Sequence, residues 1–286
     1  MNRLFVVNKP IFRSSNGYMG RMKWKYNTKK VGFSGTLDPF ATGCLIVATG
    51  QYTKLFNYLD KTPKTYKATL WLGASSPTLD IEKVEKMTNI ALFKQEYISE
   101  VLQSFKGMFS YYPPQFCAKK IDGVAAYKNA RNGKQTELKH ITSTIYNISL
   151  LNYNHPFVHF EATVSEGTYI RSLGYEIASK LGCDGILSSL TRVNEGKFRF
   201  ENEIALDPLD FISLTHNEYF GDINDVELGK KLSIENFKYK DDGKYLVITP
   251  NFFSIIDVIN SEITYKINRM PLHKGDECIV SRRTQK

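Results

Sequence analysis

The chain is poor in the residues that metal and disulfide chemistry need: its 286 residues hold four cysteines and five histidines. Cys44, Cys117, Cys183 and Cys278 are widely separated and form no CxxC pair. That argues against a finger-type zinc site and against a disulfide framework, and predicts small buried hydrophobes in a reducing compartment. His155 and His159 stand four apart, but Pro156 follows the first directly and no glutamate sits where a zinc hydrolase needs its base. Neither GxxxxGK[ST] nor GxGxxG occurs, so nucleoside-triphosphate and dinucleotide chemistry have no support. No apolar run approaches the length of a membrane span, and Leu4 to Val7 is too short for a signal-peptide core. A soluble cytoplasmic protein without metal or organic cofactor is the expectation.

Acidic residues are also scarce, but only at one end. Residues 1–70 contain twelve Lys or Arg against two acids, Asp38 and Asp60, while the rest of a chain of net charge +9 is close to neutral. A basic field confined to one region suits a polyanion, because neutralising phosphates releases counterions. A solvated helix face would account for residues 21–30 alone; across the whole segment nucleic acid is the better reading. Residues 119–139 add six bases against two acids.

Length and composition suit one large domain with a small appendage: 42% hydrophobic and 23% charged residues are ordinary for a globular protein. Leu4 to Val7 predicts a buried strand ended at Asn8-Lys9-Pro10, and Asn16 a cap for a helix carrying Tyr18, Met19, Met22 and Tyr26. Gly32 to Gly43 reads as an ordered loop, Cys44 to Ala48 as a strand, Thr53 to Leu59 as a helix and Thr65 to Leu72 as a strand. Ile98, Val101, Leu102 and Phe105 have helical spacing, with Gly107 as the stop. Segment 141–151 is β-like, and 157–164 alternates as a strand with two unlike faces. Ile170, Leu173, Ile177 and Leu181 predict an amphipathic helix stopped at Gly182. The fold class that follows is mixed α/β (α+β) around a largely antiparallel sheet, with a first domain over 1–225. Short β-like runs at 244–248, 252–258 and 262–267 predict a small β-rich appendage over 226–286, with a polar, frayed end from Ser281 to Lys286.

The stretch that carries chemistry is Gly32-Phe33-Ser34-Gly35-Thr36-Leu37-Asp38-Pro39-Phe40-Ala41-Thr42-Gly43. Its glycines allow close approach of another chain. Asp38 is the sole acid before Leu59, set in the most basic part of the sequence. An isolated Asp-Pro would be an ordinary turn; the glycines and the isolated charge favour function.

This stretch resembles the catalytic loop of the TruB family of tRNA pseudouridine synthases: glycine, usually histidine, then Thr-Gly-(Thr/Ala)-Leu-Asp-Pro, ending Ala-Thr-Gly. Five further segments are similar, in the family's order. They are Asn8-Lys9-Pro10 with Ser14-Ser15-Asn16, Lys64-Thr65-Tyr66, the run from Pro113-Pro114 through Cys117-Ala118-Lys119-Lys120 to Gly123, Gly167-Thr168-Tyr169-Ile170-Arg171, and Leu190-Thr191-Arg192. Together they cover roughly residues 4–200. The resemblance implies isomerisation of a T-loop uridine, position 55 of tRNA, by a monomer with no obligatory protein partner. It implies that Asp38 is the catalytic carboxylate, as nucleophile to the ribose or base at C2′. Arg171 would pair with and orient it, Tyr66 would stack on the base, and Tyr169 and Leu190 would line the uracil pocket. Lys9 and Lys64 would serve loop architecture or phosphate contact. Phe33 replaces the usual histidine, keeping a stacking face and losing two hydrogen-bonding nitrogens; Ser34 for threonine keeps the hydroxyl. The C-terminal segment would be a reduced PUA-like domain. The competing readings are a non-catalytic tRNA chaperone and a same-family synthase acting on another RNA.

Overall fold

The computed structural model describes residues 2–273 apart from 122 and 135; Cys278 and the polar stretch Ser281–Lys286 lie outside the described residues. Its framework is a sheet of nine strands, ordered Arg3–Lys9, Thr42–Thr49, Gly185–Glu195, Lys64–Leu72, Phe157–Val164, Ile141–Asn154, Gly107–Tyr111, with Val31–Ser34 and Phe198–Arg199 paired off this path. Every pairing is antiparallel except that of Thr42–Thr49 with Gly185–Glu195, at Thr191↔Thr42 and Arg192↔Gly43. A mixed fold around a mostly antiparallel sheet is therefore what the chain adopts.

The continuous apolar run at Leu4–Val7 has a structural reason. Phe5 and Val7 pack with Leu45 and Val47 in the core under the Ser15–Lys25 helix, whereas Leu4 and Val6 pack with Cys44, Ile46 and Ala48 on the opposite face. That opposite face is covered by a second sheet of four strands, Thr215–His216, Gly243–Ile248, Phe252–Ile259 and Glu262–Pro271. Leu246, Phe253, Ile255 and Met270 meet the N-terminal strands there. Strands covered on both faces need apolar residues at every position. Phe157–Val164 instead buries Val158, Phe160, Ala162 and Val164 and leaves the alternate residues partly open. On that open face Thr65 pairs with Thr163 at 3.0 Å and Thr69 with His159 Nδ1 at 2.9 Å, cross-strand contacts that fix the register. The Ile170–Lys180 helix packs on the buried face, where Gly174 admits Leu187: a Cβ would lie 2.7 Å from its Cδ2.

Four local expectations are corrected. The first helix is capped by Ser14, whose Oγ accepts from Gly17 N at 3.0 Å, because Ser14 is extended while Asn16 is already inside the first turn. Gly32 to Ser34 belongs to a strand, not a loop, and the helix expected over 53–59 is a 3-10 turn at Gly50–Lys54 followed by further turns. The Gln95–Gln103 helix ends before Gly107, which has φ +110 and opens the next strand. The Gly185–Glu195 strand had no sequence signal. It lies mid-sheet, yet carries Arg192, Asn194 and Glu195 as buried polar residues, so its composition reads as surface.

Candidate active site

The loop from Gly35 to Ala41 leaves the Val31–Ser34 strand with its backbone tied on three sides. Gly35 has φ +69, and a Cβ there would stand 2.7 Å from Glu195 Oε2, so both conformation and space exclude a side chain. Ser15 Oγ accepts from Leu37 N at 2.9 Å and donates to Leu37 O at 3.1 Å, which joins the loop to the first helix. Lys9 is fully buried, and its Nζ donates to Arg13 O at 2.6 Å, Pro10 O at 3.0 Å and Pro39 O at 3.3 Å. Burial pulls the Lys9 ammonium down to about 8, against the opposing pull of Asp38. Leu37, Phe40 and Ala41 are buried on either side of Asp38. Anchored at both flanks, the loop presents Asp38 at the base of a cavity with 32% of its side chain exposed.

Arg171 meets it there. Nη2 donates to Asp38 Oδ1 at 2.9 Å and Nε lies 2.9 Å from Oδ2, a two-point ion pair. The same guanidinium donates to Thr78 O at 2.7 Å and Phe116 O at 2.8 Å. It is 3% exposed, so the surface position that helical phase allows for it is not the one it takes. Asp80 completes the cluster. It is buried, with Oδ1 accepting from Thr78 Oγ1 at 2.6 Å and Glu82 N at 3.0 Å, and Oδ2 lying 3.5 Å from Arg171 Nη1. Burial raises the Asp80 carboxyl above its usual range, opposed by those hydrogen bonds and by Arg171. Sequence reasoning missed Asp80; a Thr-x-Asp in an irregular segment looks like any turn, and only the fold brings it to Arg171.

A second buried cluster supports the loop from below. Glu195 is fully buried, with Oε2 at 2.9 Å from Lys64 Nζ and Oε1 at 2.7 Å from Arg192 Nη2. Arg192 also donates to Gly35 O at 2.7 Å and Cys44 O at 2.8 Å. Burial would lower the Arg192 guanidinium, but the Tyr66 hydroxyl and Glu195 outweigh it and raise it.

The cavity over Asp38 has a volume of about 260 Å³, and Asp38, Tyr66, Tyr169, Arg171 and Leu190 all line it. Five of the six expected site residues thus share one small pocket, contributed by a loop, two strands and a helix start. Tyr169 N donates to Tyr111 Oη at 2.9 Å; burial and the neighbouring Cys117 thiol raise the Tyr169 phenol above its usual range. Phe33 is the exception. It lines an adjoining cavity of about 400 Å³ with Asn16, Pro39, Tyr127 and Arg131, and Asp38 and Arg171 border both chambers. Among the described residues no group of three or more His, Cys, Asp or Glu is placed to hold a metal.

A small half-open pocket with an arginine-held aspartate at its base suits chemistry on an unstacked base. Two solved assemblies share the fold. A Cbf5-Nop10-Gar1 complex matches with TM-score 0.64 and 21% identity over 96% of this chain and 84% of that one. An H/ACA RNP bound to a substrate RNA containing 2′-deoxyuridine matches with TM-score 0.63 and 20% identity over the same shares. The model of the TruB family pseudouridylate synthase N-terminal domain matches residues 23–170. Proteins named tRNA pseudouridine synthase B are similar along nearly the whole chain. That of a Sulfurovum species is 66% identical over 95% of this chain and 98% of its own. That of a Nitratiruptor species is 51% identical over the same shares. The family model and the sequence relatives make the chain a pseudouridine synthase, an isomerase. More narrowly, the chain belongs to the TruB family of pseudouridylate synthases.

Proposed function

We propose that this protein isomerises a uridine of tRNA to pseudouridine, with uridine 55 of the T loop as its target. The observation that carries the reading is the partly open Asp38 carboxylate held by Arg171 at the base of the pocket that Tyr66, Tyr169 and Leu190 wall. The T-loop uridine leaves its stack at a cost of a few kcal/mol and enters the pocket, where the Tyr66 ring stacks on it. Asp38, oriented by Arg171, either adds to C1′ or takes a proton from C2′, and the bond from C1′ to N1 breaks. The uracil turns within the pocket and C5 bonds to C1′ as the Asp38 ester breaks or, in the second route, as C2′ regains its proton from Asp38; the C5 proton is then lost and N1 gains one. Substrate and product are isomers, so atoms and electrons balance.

Contacts to RNA phosphates offset the cost of extrusion. Arg21, Lys23, Lys25, Lys29 and Lys30 are exposed on and just after the first helix, beside a Trp24 that is 79% exposed. We place the T stem along this face, with Lys119, Lys128, Arg131 and Lys139 closing over the loop from the other side. Phe33 supports the nucleotides next to the target by stacking in the adjoining chamber. The small C-terminal sheet is a reduced PUA-like RNA-binding appendage, and the enzyme works as a cytoplasmic monomer. No helix among the described residues is long and apolar enough to cross a membrane.

The test is incubation with an unmodified tRNA transcript, followed by carbodiimide labelling and primer extension. A single stop at the T-loop uridine is expected. Tight binding without any stop would support a chaperone instead, and stops confined to another RNA would move the substrate.

A further inference from the structure

The rim of the Asp38 pocket carries charges that the chemistry at Asp38 does not use. Lys61 and Lys64 converge on one oxygen of Glu166, with Nζ to Oε1 distances of 3.8 and 3.5 Å. Lys61 Nζ also donates to Ser34 Oγ at 3.1 Å, and Lys64 faces Glu195 Oε2 at 2.9 Å. Lys61, Lys64 and Arg192 are therefore met by only two carboxylates, Glu195 and Glu166, which leaves one surplus positive charge, and without Glu166 there would be two.

The two glutamates are not alike. Glu195 has no exposed surface and two short ion pairs, and nothing can displace it. Glu166 is 54% exposed on its side chain and held there by two long ion pairs. Its backbone sits in a fixed turn. Ser165 N donates to Thr144 O at 2.9 Å, Ser165 Oγ accepts from Thr144 N at 2.9 Å, and Thr168 Oγ1 donates to Ser165 O at 2.9 Å. The carboxylate can therefore swing away without moving the turn. Both pairs are long and their carboxylate is open to water, so displacement costs little.

We propose that Lys61 and Lys64 form a seat for a backbone phosphate beside the extruded nucleotide, and that Glu166 occupies this seat until RNA displaces it. The proposal rests on the function proposed above. A carboxylate oxygen stands where a phosphodiester oxygen would accept from the same two ammonium groups. Lys64 and Glu166 line the pocket itself and Lys61 reaches Glu166 from beside it, where the backbone must pass when its base points inward. Glu166 thereby sets a threshold: an anion held also by the rest of a tRNA ejects it, and a short or weakly held anion does not.

The test compares wild type, Glu166→Gln and Lys61→Gln for binding and turnover of a tRNA transcript across a salt series. Glu166→Gln should bind about three- to tenfold tighter near 0.1 M salt, with the gain falling on KM, and its log–log salt slope should steepen by up to about 0.9. Lys61→Gln should change both quantities in the opposite direction, and Lys61→Arg should restore them. On a transcript whose two phosphates flanking the target uridine are neutral methylphosphonates, wild type should bind more weakly and Glu166→Gln should gain nothing. The proposal is overturned if Glu166→Gln binds no tighter, or if its gain persists on the methylphosphonate RNA. Either result obtained with a wild type that forms pseudouridine removes only the seat; a wild type that forms none removes the functional reading itself.

Discussion

Arg171→Lys tests the Asp38 pair while keeping the charge. The guanidinium reaches Asp38 through Nη2 and Nε at 2.9 Å each, while also donating to Thr78 O at 2.7 Å and Phe116 O at 2.8 Å. A lysine ammonium is one point with three donors and cannot cover partners spread over several segments of the chain. Even if it follows Asp38 it makes one contact in place of two, and the two carbonyls lose charge-assisted bonds worth about 1.5–3 kcal/mol each, so stability should fall by about 3–6 kcal/mol. If it follows the carbonyls, Asp38 loses its orientation, and a misplacement near 1 Å costs about 100-fold in rate. The expected outcome is a loss of about 100-fold or more in kcat with a smaller change in KM. Turnover is read as tritium released from tRNA labelled at uridine C5, since that proton leaves during the reaction, and stability by urea titration. A variant within about threefold of wild type in kcat, at whatever stability, would refute the orienting role.

Other substitutions have equally definite outcomes. Glu195→Gln strands Lys64 and Arg192 beneath the Asp38 loop, and should cost about 3–5 kcal/mol in urea titration together with reduced activity. Phe33→His should keep turnover within about tenfold and Phe33→Ala should not, if this position works by stacking; a gain of orders of magnitude with histidine would show that proton transfer or hydrogen bonding is what it lacks. Lys9 supplies a pH test. Its ammonium titrates near 8 in the fold and near 10.5 when unfolded, so the cost of burying the cation is present below pH 8 and is relieved between 8 and 10.5. Wild type should therefore gain stability relative to Lys9→Met over that interval, measured by urea titration at both ends.

How far the sequence foretold this molecule depends on which residues carried the message. Phe157–Val164 was legible because one face is buried and the other open, so its alternation is visible. Arg3–Lys9 was legible as a strand, but its two-sided burial foretells a second covering sheet only once the partner is known. The Gly185–Glu195 strand was invisible for a chemical reason: its inward residues are the ions that brace the loop bearing Asp38. Asp38, Tyr66, Tyr169, Arg171 and Leu190 could be named because they lie within motifs, and the fold does bring them to one pocket. Phe33 lies in a motif too, yet faces the neighbouring chamber, a difference of position that no motif spacing expresses. Asp80 and Glu166 have no motif of their own; their meaning comes only from Arg171 and from the paired lysines across the fold.

The central claim is that Asp38 performs the chemistry without being needed to bind the RNA. Its most direct test is Asp38→Asn, which keeps the volume and removes the charge, assayed on one unmodified tRNA transcript beside the wild type. Binding within a few fold of wild type together with no detectable pseudouridine, by carbodiimide labelling and by tritium release, is the predicted result. Pseudouridine formed by Asp38→Asn at a rate near that of wild type would contradict it.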